Sequence, residues 1–331
     1  MTEEALRAAF AGARVTIAGG LGFIGSNLAR RLGEFGAEVL AVDALLPDLG
    51  GNRYNLDGAR GRVAIEIADL RETDAIPFVE GREYLFNLAG QTSHQGSMDA
   101  PFDDLDLNCR VALRLLDTCR KVAPDIAVVF ASTRQVYGKP HYLPVDERHP
   151  LAPVDVNGIH KLAAEAYHTL YREVYGIKSS VLRLTNTYGP RMRIKDGHQS
   201  FLGAWLRAVL EGAPFEVWEG EQLRDLTYVD DAVDALLLAA AVSEAEGGVF
   251  NIGGGRRVTL KRLADAVIIA NGAGDYTIEP FPAARKRIDI GDYHADDRLF
   301  RRVTGWKPRV ALKDGLARTL DYYRGNLEPY L

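Results

Sequence analysis

The stretch Gly19-Gly20-Leu21-Gly22-Phe23-Ile24-Gly25 contains four glycines, of which Gly19, Gly22 and Gly25 are spaced three residues apart. An apolar run, Arg14–Ala18, precedes this stretch, and apolar residues at helical spacing follow it. Glycine suits such a turn because the backbone adopts positive φ, approaches a ligand closely and packs a helix against a strand. The start of the helix also offers free N–H groups and the positive end of its dipole. The stretch therefore predicts a strand, a diphosphate-binding turn and a helix.

The helix after the turn carries Ile24, Leu28, Leu32 and Phe35 on one face and is predicted to end at a glycine, Gly36. The next apolar run, Glu38–Val42, leads into Asp43, which lies eighteen residues past the last glycine of the turn. A carboxylate there can accept both ribose hydroxyls of a dinucleotide and would repel a 2′-phosphate. We therefore expect NAD rather than NADP. The alternative is that Asp43 is a solvated residue at the end of a strand.

Short apolar runs alternate with longer helical patterns through the first half of the chain, which is typical of βαβ units. The strands predicted there are Arg14–Ala18, Glu38–Val42, Val63–Ala68, Tyr84–Ala89, Ile126–Ser132 and Ser180–Thr185. Shorter elements follow after about residue 189, namely Phe215–Trp218, Thr227–Val229, Val249–Ile252 and a final helix from about Leu312. We therefore expect an α/β fold, a doubly wound parallel sheet of the Rossmann type with a smaller C-terminal α/β substrate lobe. The NAD-binding domain would span residues 1–188 and about 224–260, and the lobe about 189–223 and 261–331.

The composition excludes several classes of protein. The 331 residues carry a net charge of −5 without a long run of one sign, which disfavours nucleic acid and anionic membranes as partners. No apolar run approaches the ~18 residues of a membrane span, and acidic residues near the N-terminus do not fit a signal peptide. Cys109 and Cys119 lack the spacing of a metal site or a disulfide framework. We expect a cytoplasmic protein with reduced cysteines and no metal.

Several further motifs occur in a fixed order along the chain. They are Asn87-Leu88-Ala89-Gly90, Asn108, Ala131-Ser132-Thr133-Arg134-Gln135-Val136-Tyr137-Gly138, Arg183-Leu184-Thr185-Asn186-Thr187-Tyr188-Gly189-Pro190, Arg224-Asp225, Tyr228-Val229-Asp230-Asp231, Asn251-Ile252-Gly253 and Gly305-Trp306-Lys307-Pro308. With the glycine turn, they make the chain resemble the extended short-chain dehydrogenase/reductase family over nearly its whole length. The group it resembles is that of the NAD-dependent nucleotide-sugar epimerases and dehydratases, of the UDP-glucose 4-epimerase kind.

This resemblance implies two sets of binding residues and a homodimer. The cofactor set is Gly19, Gly22, Phe23, Ile24, Gly25, Asp43, Asp69, Leu70, Leu88, Ala89, Asn108 and Lys161. The set for a nucleoside-diphosphate sugar is Gln91, Arg134, Gln135, Asn186, Phe201, Leu202, Glu216, Trp218, Arg224 and Asp289. Asp69 and Leu70 would lie beside the adenine, and Asn186 and Arg224 would bind the sugar diphosphate. Helices at Asp103–Val122 and Asp155–Tyr175 could form the dimer contact.

Two of these assignments leave alternatives open. Phe201 and Leu202 either lie over the nucleotide or belong to the core of a helix. The family's second phosphate-binding cation falls at Arg285, Lys286 or Arg287, shortly before Asp289.

The resemblance fails at one catalytic position. Family members carry Tyr-x-x-x-Lys on a helix, in which the Tyr removes a proton from a sugar hydroxyl and the Lys holds the ribose. Here Lys161 is present, but Asn157 stands where the Tyr belongs, and an amide cannot act as a general base near neutral pH.

Three accounts of Asn157 compete. Another group supplies the base, such as His160 on the same helical turn, Tyr137 or Tyr188. Alternatively the reaction differs from ordinary redox chemistry at the sugar's 4-position. In the third account, the protein binds NAD and a nucleotide sugar without turnover.

A second departure narrows the reaction. Where dehydratases of the group have Thr-Asp-Glu, this chain has Thr133-Arg134-Gln135, which cannot move the proton needed to eliminate water. We therefore expect a 4-epimerase-like enzyme that recycles NAD, with Thr133, Lys161, Asn157 and His160 as its candidate catalytic residues. Arg134 would suit a carboxylated sugar, or it points to solvent.

Overall fold

The computed structural model describes residues 1–255 and 257–331. Its strands are β1 Arg14–Ala18, β2 Glu38–Asp43, β3 Arg62–Ile67, β4 Tyr84–Asn87, β5 Ala127–Thr133, β6 Lys178–Leu184, β7 Asn186–Tyr188, β8 Phe215–Trp218, β9 Leu223–Tyr228, β10 Val249–Ile252, β11 Arg257–Thr259 and β12 Tyr276–Glu279. Its α-helices are α1 Glu3–Phe10, α2 Phe23–Phe35, α3 Ile76–Val79, α4 His94–Asp99, α5 Pro101–Leu105, α6 Val111–Val122, α7 Val156–Tyr175, α8 Phe201–Glu211, α9 Val229–Ala241, α10 Leu260–Asn271, α11 Ala283–Lys286, α12 Arg298–Thr304 and α13 Leu312–Arg324.

The glycine turn joins β1 to α2 as the sequence predicts. Gly19 adopts a φ of 80°, and a Cβ added to Gly25 would lie only 2.1 Å from the carbonyl oxygen of Gly19. Only glycine lets the helix start so close to the strand. At the other end of α2, Gly36 is left-handed and its N–H is bonded to the carbonyl of Leu32, which confirms the predicted helix end.

Seven strands form one sheet in the order β10-β6-β5-β4-β1-β2-β3, and each neighbouring pair is parallel. The strand order reverses at β1: β2 and β3 extend the sheet on one side of β1, and the chain then crosses to β4 on the other side. Ligands bind beside such a switch point, at the carboxyl ends of the strands. The sheet confirms the predicted doubly wound α/β fold.

Two small sheets lie outside the large one. The first has the strand order β11-β9-β7, and the second pairs β12 with β8 in parallel. The strand predicted at Thr227–Val229 is longer than expected and runs over Leu223–Tyr228, so that it includes Arg224. The final helix begins at Leu312, as predicted.

The helix predicted over Asp103–Val122 is interrupted. α5 and α6 are joined by a π-helical turn, Asp106–Arg110, that contains Asn108. One extra residue in a helical turn redirects the side chains that follow, and such turns are frequent at functional sites. Among the described residues, no helix combines the length and the apolar character needed to cross a membrane.

Candidate active site

Two connected cavities follow the carboxyl edge of the large sheet. The first, about 90 Å³, is lined by residues that include Asp43, Asp69, Leu70, Leu88 and Ala89. The second, about 250 Å³, is lined by residues that include Phe23, Ile24, Gly25, Thr133, Asn157 and Lys161. Gly19, Gly22, Leu88 and Gly90 line both, so the two cavities form one channel across the glycine turn.

Asp43 holds the glycine turn as well as facing the first cavity. Its Oδ2 accepts from the N–H of Leu21 at 3.0 Å, and its Oδ1 accepts from the N–H of Leu45 at 2.9 Å. Burial raises the pKa of Asp43, while these backbone bonds and one from Gly22 act in the opposite direction. Each carboxylate oxygen has a second lone pair, so the group can still accept ribose hydroxyls.

Asp69 and Leu70 form the far end of the same cavity. Arg71 holds the Asp69 carboxylate with two side-chain nitrogens, Nη2 at 2.7 Å and Nε at 3.1 Å. The hydrogen bonds from Arg71 lower the pKa of Asp69, so it stays ionised. The wall of the cavity at this end is therefore formed by the apolar side chain of Leu70 and by the Asp69 carboxylate, which is already paired with Arg71.

The channel fits a dinucleotide. Gly22 caps α2 without a side-chain hydrogen bond, and Phe23, Ile24 and Gly25 at the helix start line the cavity. Their N–H groups and the helix dipole suit a diphosphate.

Lys161 lies at the opposite end of the channel from Asp43. It is buried, its Nζ donates to the carbonyl oxygen of Ala131 at 3.1 Å, and the ring of Phe130 is 4.8 Å away. Burial lowers the pKa of Lys161 to about 8, although the charges of Asp104 and Glu165 act in the opposite direction. The ammonium has donors left for a ligand hydroxyl.

Asn157 lines the channel and is tied to a buried carboxylate beneath it. Its Nδ2 donates to the carbonyl oxygen of Gln91 at 2.8 Å and to Asp104 Oδ2 at 3.2 Å. Asn108 makes the same two contacts, each at 3.0 Å. Asn108 and Gln91, which the resemblance assigns to the cofactor and the substrate, hold this carboxylate and are not among the residues that line the cavities.

The candidate replacement bases named from sequence do not line the cavities described here. His160 reaches the site only through Asp104, whose Oδ1 lies 2.7 Å from His160 Nδ1. Tyr137 is fully buried and donates to Asn251 Oδ1 at 2.7 Å, and burial raises its pKa to about 12. Tyr188 packs in the core near Leu312, and burial raises its pKa. None of the three lines either cavity of the channel or the one beside it.

A third cavity, about 600 Å³, adjoins the channel on the side of the small sheets. Its lining includes Gln135, Asn186, Phe201, Glu216, Trp218, Arg224, Arg285 and Asp289 from the predicted sugar-nucleotide set and its alternatives. Leu202 instead faces the core, so the structure favours the core alternative for that residue. Arg285 lies over the ring of Trp218 at 4.9 Å, whereas Lys286 pairs with Glu219.

Arg224 is fixed at the base of this cavity. Its Nη2 donates to Asp289 Oδ1 at 2.9 Å and its Nη1 to the carbonyl oxygen of Gly291 at 2.8 Å. Asn186 lines both this cavity and the channel, and its Oδ1 is buried without a hydrogen-bond partner among the described residues. A ligand donor or a bound water can satisfy a buried acceptor of this kind.

Arg134 also lines both cavities. Its buried Nε has no hydrogen-bond partner in the described chain, and its guanidinium lies 5.8 Å from the ring centroid of Tyr293. Burial and the nearby charge of Arg224 lower its pKa to about 10. The structure therefore favours the alternative in which Arg134 faces a ligand.

Sequence reasoning missed His94, which lines the channel and the third cavity. It is the first residue of α4, and its Nδ1 lies 2.9 Å from Oδ2 of the buried Asp155. Its position in the sequence could have predicted this, because it follows β4 by a few residues and ligands bind at the carboxyl ends of such strands.

Comparison with known proteins agrees with this geometry. The UDP-glucose 4-epimerase of Mycolicibacterium smegmatis is 32% identical over 317 residues, covering 94% of this chain and 98% of that protein. The crystal structure of a UDP-glucose 4-epimerase from Thermotoga maritima with UDP-glucose is 30% identical, with a TM-score of 0.84 over 95% of this chain and 99% of that one. MoeE5 in complex with UDP-glucuronic acid and NAD is 29% identical, with a TM-score of 0.82 over 95% and 99% of the two chains.

The family match itself covers residues 15–253, from the first strand of the large sheet to the glycine after β10. This range includes the glycine turn, Asp43, Lys161 and Arg224. NAD is the cofactor of this family, as the channel and Asp43 led us to expect. The chain belongs to the NAD dependent epimerase/dehydratase family.

Proposed function

We propose that the protein is a nucleotide-sugar 4-epimerase that inverts carbon 4 of a sugar carried on a nucleoside diphosphate. The observation that carries the proposal is the meeting of two cavities at one set of side chains. Thr133, Asn157 and Lys161 line the dinucleotide channel, and Arg134 and Asn186 line both that channel and the 600 Å³ cavity beside it. A sugar ring at this junction lies between its own nucleotide and the reactive end of the cofactor.

In this proposal the cofactor spans the channel from Asp43 to Lys161. Asp43 accepts hydrogen bonds from the hydroxyls of the adenosine ribose, and the start of α2 binds the diphosphate. Lys161 donates a hydrogen bond to the ribose that carries the nicotinamide. When bound there, NAD would supply a reversible acceptor for the hydride of carbon 4 of the sugar.

At the sugar, Thr133 donates a hydrogen bond to the reacting oxygen. We propose that Asn157 occupies the position of the family's catalytic Tyr. The Nδ2 of Asn157 is committed to the Gln91 carbonyl and to Asp104, which leaves its amide oxygen as an acceptor for a sugar hydroxyl. An amide oxygen can accept a hydrogen bond but cannot take the proton, so Asn157 orients the sugar and another group is the base.

Arg134 supports a carboxylated sugar as the substrate. Its Nε is buried without a hydrogen-bond partner among the described residues. Leaving a cation so placed is costly, and a carboxylate satisfies it with two parallel hydrogen bonds. MoeE5, which is similar in structure, binds UDP-glucuronic acid.

The test is turnover with NAD and each of UDP-glucose, UDP-glucuronic acid and UDP-N-acetylglucosamine, followed by NMR of the sugar products. We expect the C4 epimer of at least one sugar, with UDP-glucuronic acid converted fastest and no net NADH. Release of water or carbon dioxide would instead identify a dehydratase or a decarboxylase. Tight binding without any product would contradict the proposal and favour a non-catalytic binding protein.

The remaining proposals concern the domain boundaries, the oligomeric state and the cellular location of the protein. We propose an NAD domain of residues 1–188 and about 224–260 with a substrate lobe of about 189–223 and 261–331, which is supported by the third cavity lying on the side of the small sheets. We propose a homodimer through α6 and α7, supported by exposed apolar side chains there, such as Val174. We propose a cytoplasmic protein, supported by two buried free cysteines.

A further inference from the structure

The reaction proposed above needs a proton acceptor that Asn157 cannot supply, and this inference rests on that proposed function. From the geometry of α4 and the start of α7, we propose that His94 is the general base of this enzyme and that Asp155 is its positioning residue.

The first step of the argument is placement. His94 lines both the channel and the third cavity, as do Arg134 and Asn186, so it borders the junction where the sugar ring lies. Its side chain is 35% exposed, whereas that of Asp155 is fully buried. Since Nδ1 faces Asp155, the other ring nitrogen, Nε2, is the one left for a ligand.

The second step is orientation. Asp155 caps α7, and its Oδ1 accepts from the N–H of Gly158 at 2.7 Å. Its Oδ2 accepts from Gln135 Nε2 at 2.7 Å and lies 2.9 Å from His94 Nδ1. The distance between His94 Nδ1 and Asp155 Oδ2 is short, although the contact lacks the alignment of a full hydrogen bond. A carboxylate beside Nδ1 stabilises the imidazolium that forms when Nε2 takes a proton.

The third step is the link to Asn157. The N–H of Asn157 donates to Ser97 Oγ at 3.2 Å, and Ser97 belongs to the same short helix as His94. Two contacts, His94 with Asp155 and Ser97 with Asn157, therefore fix α4 against the start of α7. The imidazole and the amide share one wall of the channel for this reason.

The proton balance of the step is as follows. The hydrogen on carbon 4 leaves with its electron pair to the cofactor, the O4–H bond breaks, and its proton goes to His94 Nε2 while a C4=O double bond forms. After the sugar presents its other face, the hydrogen returns to carbon 4 and His94 returns the proton to O4. No further oxidant or reductant is needed.

The experiment compares His94→Ala with His141→Ala, which changes a surface histidine outside the described cavities. On the UDP-sugar that the wild type converts fastest, we expect His94→Ala to lower kcat about a hundredfold or more, the usual contribution of a positioned base. Free imidazole should restore part of this loss, and calorimetric affinities for NAD and UDP should stay within about threefold. Imidazole should have no effect on wild type or on His141→Ala. Asp155→Asn keeps an oxygen for the helix cap but removes the charge, and its smaller loss should not respond to imidazole.

A second readout does not need turnover. Carbethoxylation by diethyl pyrocarbonate, located by mass spectrometry, should be slowed at His94 but not at His141 when UDP-glucuronic acid and NAD are present.

The outcomes separate the two proposals. Two results with an active wild type would show that His94 is not the base. In the first, His94→Ala keeps the wild-type rate. In the second, His94→Ala loses activity that imidazole does not restore, while imidazole does restore His160→Ala. If the wild type converts none of the sugars, the proposed function fails, and this role for His94 fails with it. Unslowed carbethoxylation with both ligands bound would place His94 outside the site.

Discussion

The Nδ2 of Asn157 lies 3.2 Å from Oδ2 of Asp104, and the other oxygen of that carboxylate lies 2.7 Å from Nδ1 of His160. Asp104 also accepts from Gln91 and Asn108 at 3.1 and 3.0 Å. One buried anion is therefore satisfied by four side chains, two of which come from the helix that carries Lys161. A buried charge with this many partners is costly to disturb.

Replacing Asn157 tests whether it orients the sugar or supplies the chemistry. Asn157→Ala should lower kcat only modestly, and should lower the free energy of unfolding by roughly 1–3 kcal/mol because one donor to Asp104 and Gln91 is lost. Asn157→Tyr rebuilds the Tyr-x-x-x-Lys pair, and should permit net reduction of NAD by a suitable UDP-sugar. Stopped-flow absorbance of NADH and urea unfolding measure the two effects. A loss of kcat in Asn157→Ala as large as that in His94→Ala would contradict an orienting role.

Asp43 should decide the preference for NAD. Asp43→Ala removes the acceptor of the ribose hydroxyls and of the Leu21 and Leu45 N–H groups, so NAD affinity should fall by about 1.5–3 kcal/mol. The affinity for NADP, which the carboxylate repels, should change less. Calorimetry with both cofactors is the measurement, with Glu38→Gln at the far end of the same strand as control. Equal wild-type affinities for NAD and NADP would show that Asp43 does not discriminate.

Arg224 should affect one ligand and not the other. Its guanidinium is held at the base of the 600 Å³ cavity by Asp289, away from the glycine turn. Arg224→Ala should weaken UDP binding by about 1.5–3 kcal/mol, since a charged hydrogen bond is lost, and leave NAD binding nearly unchanged. Arg207→Ala on the neighbouring helix is a matched control in calorimetry. Loss of both ligands to the same extent would mean that the substitution disturbs the fold.

Lys161 should make stability depend on pH. Its pKa is about 8 in the folded chain against an ordinary 10.5, so between these values the unfolded chain binds more protons and stability rises with pH. In the absence of NAD, we expect the free energy of unfolding of the wild type to rise, relative to that of Lys161→Met, by roughly 1–2 kcal/mol between about pH 7.5 and 9.5. Urea unfolding at the two pH values measures this gain. The exposed Lys139→Met should follow the wild type, and a pH-independent gap for Lys161→Met would refute the lowered pKa.

The proposed dimer depends on exposed apolar side chains of α7. Val174 and Leu170 are 60% and 46% exposed and lie four residues apart, so they share one face of the helix. Val174→Arg should convert the dimer to a monomer in light scattering. Ile269→Arg, at a residue 72% exposed on α10, should leave the mass unchanged. A monomeric wild type would remove the basis of this proposal.

Local sequence determined those features of this protein that depend only on residues close to one another along the chain. The glycine turn, the helix end at Gly36, Asp43 after β2 and Lys161 four residues past Asn157 all follow from short-range backbone geometry and helical spacing. The parallel sheet follows from the alternation of apolar runs with helical patterns.

Tertiary structure alone decided which side chains reach the cavities. His160 stands nearer to Lys161 in sequence than His94 does, yet α7 turns it to Asp104, while His94 reaches the junction from another helix. A helix places residues 100° apart, so neighbours in sequence face different surroundings, whereas contacts such as His94 with Asp155 join segments 61 positions apart. The partners of Asp104 are likewise brought together by packing of α5, α7 and the π-helical turn, which no local pattern specifies.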